Sequence, residues 1–311
     1  MKKQYDIIGN RKKYFIFSAA VIVFILLFSL IFGVKMDIQF KGGAVLTYGY
    51  EGELDLSTVQ KDVQGLLGSD VTLQTGTSLA TSAQTLTISL PGTQTVETET
   101  VESLTQALTE NYAAQNFRQL SLNNVDPIIG KEFFAKSIVA VVAASLLILV
   151  YIAIRFRKIG GWPAGCMAVA ALVHDLIIVY GVFVVFRIPL NGNFIAALLM
   201  ILGYSINDTV VIYDRVRENR KLHGNAMDFE TLLNTSINQS LRRSINTTIS
   251  TLLALGTVGI VALAFGLDTI VTFAFPLMVG MVSGVYSTVC IAGPLWAEWE
   301  ARKKKPSGAK K

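Results

Sequence analysis

The residues able to carry chemistry in this 311-residue chain are few, and they sit where the surrounding sequence is apolar. Asp208 lies within GYSINDTVVIYDRVREN (203–219), preceded by Asn207 and followed by Thr209. His174 and Asp175 lie within ALVHDLIIVYG, and Arg242 and Arg243 precede the hydroxyl-rich run SINTTIST (244–251), which holds Ser244, Asn246, Thr247 and Thr248. A carboxylate at bilayer depth costs roughly 2.5–3.5 kcal/mol at a helix centre on insertion scales, so Asp208 reads as a functional residue. The chemistry on offer is proton transfer: a carboxyl group that takes up and releases a proton, a guanidinium that biases it, and hydroxyls that hold water between them. His174 and Asp175 read equally as a packed hydrogen-bonded pair. Arg242 and Arg243 read equally as ordinary flanks of a span, whose long stems reach water.

These residues need membrane helices to position them. Hydrophobic residues make up 52% of the chain and charged residues 16%, with a mean hydropathy of +0.50, a composition of multispan membrane proteins rather than soluble domains. Apolar runs predict six transmembrane helices, at 14–34, 137–154, 164–186, 193–213, 244–265 and 269–296. The first is expected to be an uncleaved span, because it outlasts the roughly 7–15 residues of a signal-peptide core and no A-x-A follows. Pro276 is expected to kink the sixth span. Gly280 and Gly284 form a GxxxG read as close helix packing, with Gly256, Gly259 and Gly266 as further small positions. Cys166 and Cys290 lie in apolar stretches and read as small buried hydrophobes, with no disulfide framework.

Residues 35–136 are polar and acidic, with twelve Asp or Glu against six Lys or Arg. Strand patterns at 44–50, 71–77, 84–90 and 117–125 and helical patterns at 56–67 and 98–114 give the order β-α-β-β-α-β of a ferredoxin-like α+β domain. The third strand should stop at Pro91-Gly92, and Glu97, Glu99 and Glu102 should favour the positive end of the second helix dipole. The segment has no His and no Cys, so a zinc or thiol site is excluded, and Gly42-Gly43 reads as a turn, packing or hinge device. A binding or mechanical role fits it better than catalysis. Of the 27 Lys and Arg, 20 fall in the N-terminal stretch 1–13, the loops after spans two and four, and the tail 301–311. The positive-inside rule then puts both termini in the cytoplasm and the 35–136 domain outside. The net charge of +5 is explained by topology, with no nucleic acid required. Trp296 and Trp299 are expected as interfacial anchors, and Lys303, Lys304, Lys305, Lys310 and Lys311 as a lipid-attracted tail.

GYSINDTVVIYDRVREN, together with ALVHDLIIVYG and INQSLRRSINTT, resembles the SecF family of accessory subunits of the bacterial Sec export machinery. MDIQFKGG (36–43) is similar to that family's G-I-D-F-x-G-G signature: Phe40, Gly42 and Gly43 are kept, while Gln39 stands in place of the Asp and Asp37 in place of the first Gly. The resemblance implies a six-helix half of an RND-type bundle in the bacterial cytoplasmic membrane. It also implies a SecD-like partner beside the Sec translocon channel and YidC/YajC-type proteins, with preproteins as cargo and the proton-motive force as driver. Asp208 takes the place of the family's fourth-span aspartate, Arg243 of its fifth-span arginine and Asp175 of its third-span His-Asp. On this reading Asp208, Arg243 and Asp175 form a proton relay, with Asn207, Thr209, His174, Thr247 and Thr248 in support. No enzymatic activity and no cofactor are implied; the coupling ion is H⁺, with Na⁺ as the alternative. Two other readings stay open: half of an RND-type small-molecule or lipid exporter, or a scaffold in which Asp208 and Arg243 are only an ion pair.

Overall fold

The computed structural model describes residues 4–68, 71–77, 84–91, 98–125, 127–224, 226–265 and 267–304. Among them, six helical stretches are long and apolar enough to cross a membrane. Helix α1 (Arg11–Phe32) leads through a one-turn helix, α2 (Ile38–Lys41), into β1 (Gly43–Tyr50), α3 (Leu56–Leu67), β2 (Thr72–Thr77), β3 (Gln84–Pro91), α4 (Thr98–Asn111) and β4 (Arg118–Val125). The strands form one antiparallel sheet in the order β2-β3-β1-β4. Alternation along β1 turns Ala44, Leu46, Tyr48 and Tyr50 inward, where they meet Val59 and Val63 of α3 and Val101, Leu104 and Leu108 of α4. Asp55 starts α3: it accepts from the hydroxyls of Thr58 and Ser57 and from the Ser57 N–H, which together hold its carboxyl down to about 2. Gly92 and Glu97 lie outside the described residues.

The remaining helices are α5 (Pro127–Arg155), α6 (Gly161–Val185), α7 (Gly192–His223), α8 (Phe229–Ala264), α9 (Asp268–Ser287) and α10 (Gly293–Lys304). Three of them differ from expectation. Helix α5 begins at Pro127 rather than 137, because Gly130 and Phe134 of its first turns already pack on α2. Polar residues 214–243, expected as a loop, are mostly helix: α7 runs on to His223 and α8 starts at Phe229. Val216, Leu232, Leu233 and Ile237 are the reason, since they bury together with Tyr213 and Trp296. The Asn219 amide donates to Ser236 Oγ (2.9 Å) and Gln239 Oε1 (2.8 Å), so polar groups as well as apolar ones join the two extensions. In the last span the helical pattern changes at the π turn Thr288–Ala292, while Pro276 lies inside α9.

Two expected roles are corrected. Trp296 is no interfacial anchor: it is fully buried against Tyr213 (ring centroids 4.8 Å) and Phe229 (5.1 Å), whereas Trp299 is exposed. Cys166 is exposed rather than buried as expected, while Cys290 is half-buried and packs against the hydrophobic core. The GxxxG reading does hold. A Cβ on Gly280 would come within 2.7 Å of Ile201 Cδ1 and Val179 Cγ2, and one on Gly284 within 3.2 Å of Ser205 Cβ, so the absence of side chains at these glycines lets α9 approach α6 and α7 closely. Nothing comparable surrounds Gly256 or Gly259, and Gly266, Lys305, Lys310 and Lys311 lie outside the described residues.

Candidate functional site

The polar residues converge where α6, α7, α8 and α9 meet. On α7, Ser205, Asp208 and Thr209 recur at i, i+3 and i+4, which places them on one face. On α9 and the π turn, Ser283, Ser287 and Thr288 stand at i, i+4 and i+5, just beyond Gly280 and Gly284. The close approach that the glycines permit is what lets short hydroxyl side chains reach across.

Asp175, fully buried, is the centre of the better-defined half. Its Oδ2 accepts from Ser205 Oγ (2.7 Å) and Ser287 Oγ (2.6 Å), and its Oδ1 accepts from Ser283 Oγ (2.6 Å). His174 Nδ1 stands 3.3 Å from Oδ1, and its ring packs 5.9 Å from that of Tyr286. One carboxylate therefore ties three helices together. A hydroxyl-to-hydroxyl contact, Thr209 Oγ1 to Thr288 Oγ1 at 3.0 Å, extends the junction along α7.

Asp208 is almost as deeply buried, at 4% exposure, and its surroundings are the opposite. Its Oδ2 has no hydrogen-bond partner, and neither has the buried hydroxyl of Ser244 on α8. The Ser244 hydroxyl is nonetheless close enough to act on Asp208 as a weak donor, and the Arg243 guanidinium acts on it at longer range, with no ion pair within 4.0 Å. Arg243 is exposed and lines a polar cleft between α7 and α8. Thr248 faces inward and accepts from Tyr204 Oη at 3.0 Å. Asn207, Asn246 and Thr247 face away from the bundle, and the Thr247 hydroxyl only donates to the Arg243 carbonyl of its own helix (2.9 Å). Of the hydroxyl and amide groups expected to hold water, Thr209, Ser244 and Thr248 point in; Asn246 and Thr247 do not.

The signature around Phe40 forms an elbow between the sheet and the bundle. Asp37 starts α2 by accepting from the Gln39 N–H (3.0 Å), and burial pushes its carboxyl above the ordinary carboxylate range despite that bond. Phe40 is buried against Phe133 and Phe134 of α5, with ring centroids 5.7 and 5.0 Å away. Gly42 (φ 81°) and Gly43 (φ 131°) then turn the chain into β1, a conformation other residues rarely adopt. A Cβ on Gly130 would meet the α2 backbone at 3.1 Å, so α2 lies directly on α5. The elbow also holds the loop between α6 and α7: the Asp37 N–H donates to the Leu190 carbonyl (2.9 Å), the Gly192 N–H to Gln39 Oε1 (2.8 Å), and Arg187 Nη1 to the Phe32 and Gly33 carbonyls (2.6 and 3.0 Å). Gln39, a departure from the signature, thus has a defined contact.

A family model for protein export membrane proteins SecD/SecF, C-terminal part, matches residues 104–302. The protein translocase subunit SecF of Alicyclobacillus acidocaldarius is 32% identical over 98% of this chain and 96% of its own length. The chain belongs to the SecD/SecF family. Within that family, the SecDF of Bacillus subtilis is 31% identical over 99% of this chain, which spans 40% of that longer protein. The crystal structure of SecDF from Thermus thermophilus, a translocon-associated membrane protein, matches 97% of this chain at a TM-score of 0.80 and 27% identity; this chain covers 39% of it. A mostly helical protein with six membrane-length helices is what this SecD/SecF likeness and the apolar runs jointly give.

Sequence reasoning singled out Asp175 but missed the groups that surround it. Ser205, Ser283, Ser287 and Tyr286 carry no role in the sequence reading, where they stand among apolar neighbours. The available signal was spacing: Ser205 three residues before Asp208, and Ser283 four before Ser287, each pair on one helix face.

Proposed function

We propose that the chain is the SecF-type subunit of the Sec export machinery and that it uses the proton-motive force, with a SecD-type partner, to promote preprotein passage across the bacterial cytoplasmic membrane. Asp208 is the proton carrier and Arg243 its counter-charge, while Asp175 with His174 anchors the helices around them. The observation that carries this reading is the buried Asp208 carboxyl, which belongs to no hydrogen-bond network among the described residues and has the Ser244 hydroxyl and the Arg243 guanidinium as the groups that act on it. Such a carboxyl can change its protonation without first breaking a network of bonds. A scaffold role, with Asp208 and Arg243 as a structural ion pair, is disfavoured by the gap between them.

The partner and the domain placement belong to the same proposal. Helix α8 turns Arg243, Asn246, Thr247 and Ser250 outward. Polar groups exposed at membrane depth need protein or water rather than lipid against them, which fits a SecD-type subunit on this face. We read the four-stranded unit, residues 35–136, as a ferredoxin-like extracytoplasmic domain on the strength of its β2-β3-β1-β4 order with both helices packed into one core. Both termini are cytoplasmic by the Lys and Arg distribution. The Sec channel, YidC/YajC-type proteins and the preprotein complete the assembly, and H⁺ is the coupling ion, with Na⁺ as the alternative.

The mechanism follows the contacts. A proton from outside neutralises Asp208 and cancels its attraction for Arg243; α7 and α8 then repack. The start of α7 is hydrogen-bonded to the Phe40 elbow, so movement there is transmitted to β1 and the sheet. A driving force of about 200 mV supplies roughly 4–5 kcal/mol per proton at about 2.3 kcal/mol per 100 mV, enough to reverse a two-state equilibrium. The test is Asp208→Asn in the complex with its partner, reconstituted in vesicles with an imposed proton gradient. Gradient-stimulated export and proton flux should both fall to background; export at the wild-type rate would overturn the relay.

A further inference from the structure

We propose that the hydrogen bond between Tyr204 on α7 and Thr248 on α8 is the outer latch of the Asp208 site, which makes Tyr204 a positioning residue for the proton step. Tyr204 Oη donates to Thr248 Oγ1 at 3.0 Å. Tyr204 stands four residues before Asp208, and Thr248 four residues after Ser244. On two antiparallel helices both spacings lead the same way, so the bridge lies one turn from Asp208 and Ser244, towards the start of α7. That end of α7 is the one bonded to the Phe40 elbow, which the proposed orientation places outside. Water arriving from outside between the two helices meets this bridge before the carboxyl.

Helix α8 is held unevenly along its length. Near its start, Leu233 and Ile237 are buried in one cluster with Tyr213 and Val216 of α7, and Ser236 and Gln239 accept from the Asn219 amide. The N-terminal segment straps the same end. Asn238 bonds both the N–H and the carbonyl of Tyr5 (2.8 Å each), Asn234 Oδ1 accepts from the Ile7 N–H (2.9 Å), and Arg11 pairs with Glu230 (3.6 Å). Beyond Thr248 this pattern ends. Among the described residues, the Tyr204 bridge is the last hydrogen bond from α7 to α8 in the outward direction. Further out, the hydroxyls of Thr251 and Thr257 bond carbonyls of their own helix (2.9 Å each), and a Cβ on Gly256 or Gly259 would meet nothing within 4 Å. A helix anchored at one end and tied once near its middle swings at the free end when the tie breaks. Release of Tyr204 therefore opens the outer side of Asp208 and leaves the strapped side closed.

The inference rests on the relay reading for what the opening serves. The opening itself is a separate property, measurable without protons.

The test is thiol labelling of Ser244→Cys, combined with Cys166→Ser and Cys290→Ser, in the complex with its partner subunit in sealed vesicles. A membrane-impermeant methanethiosulfonate is applied from one side at a time. Ser244 is 1% exposed, so a thiol there reacts only when the helices part. Adding Tyr204→Phe should raise the labelling rate from the outer side about five-fold, the factor that one net hydrogen bond sets, with the rate from the cytoplasmic side unchanged. Thr248→Val removes the acceptor and should do the same. The double variant should match either single one, because both remove the same bond. An unchanged outer rate in both single variants, an equal rise from both sides, or multiplied effects in the double variant would each overturn the latch. Wild-type export by Asp208→Asn would remove the relay and leave the latch standing, whereas unchanged labelling removes the latch and leaves the relay.

Discussion

Asp175 and Asp208 are both buried carboxylates, both contact the same face of α7, and they have opposite surroundings. Asp175 accepts three serine hydroxyls from two helices and sits against His174. Asp208, one turn beyond Ser205, has an oxygen that accepts nothing. A carboxylate ringed by fixed donors is stable in one state, because any change leaves several buried hydroxyls without an acceptor. A carboxylate with spare capacity is poorly stabilised, and it loses little by changing state. Burial alone, which is nearly equal for the two, does not separate an anchor from a switch; the count of donors does.

Substitution at Asp175 should give the largest stability effect. Asp175→Ala strands three serine hydroxyls in the interior, and at roughly 1 kcal/mol for each lost hydrogen bond the variant should lose about 2–4 kcal/mol. Thermal unfolding of the purified protein in detergent reads this directly. A wild-type melting temperature would remove the anchor from the comparison. The individual serines should cost less. Ser287→Ala and Ser283→Ala are each expected to lose about 1 kcal/mol, and because they share one carboxylate the double variant should depart from the sum of the two. Strict additivity would mean that the three hydroxyls are not one network.

Much of this arrangement was legible in the sequence, and the parts that were not share a cause. The strands and helices of residues 43–125 follow from period-two and period-3.6 patterns such as Ala44, Leu46, Tyr48 and Tyr50, which depend only on neighbours along the chain. Asp208, Asp175 and His174 stood out because ionisable residues are rare in apolar runs. The helical extensions of α7 and α8 were hidden because their stabilisation lies between elements: Leu232 and Ile237 bury in a cluster with residues of other helices, Tyr213 and Trp296 among them. For the same reason Trp296 looked like a surface anchor. The serines around Asp175 were invisible for a second reason, since a serine among leucines carries no sign of whether its hydroxyl faces a carboxylate or its own helix backbone. Arg243 shows the converse: its type and position were plain in the sequence, and only the structure separates it from an ion pair with Asp208.

The smallest stability effect should come from the residues placed at the centre of function. Ser244→Ala removes a buried hydroxyl whose nearest polar neighbour is Asp208, and Asp208→Asn changes a carboxyl that belongs to no hydrogen-bond network among the described residues. At most the weak Ser244–Asp208 interaction is lost, so both variants should melt within about 1 kcal/mol of the wild type, well short of the loss expected at Asp175. The Asp208→Asn amide also removes a charge from a buried site, which works in the direction of stability. A variant that melts like the wild type and yet transmits no proton gradient is the result that the contrast with Asp175 demands. If Asp208→Asn instead lost 2–4 kcal/mol, Asp208 would be a second anchor, and the difference in donor count between the two carboxylates would have no functional meaning.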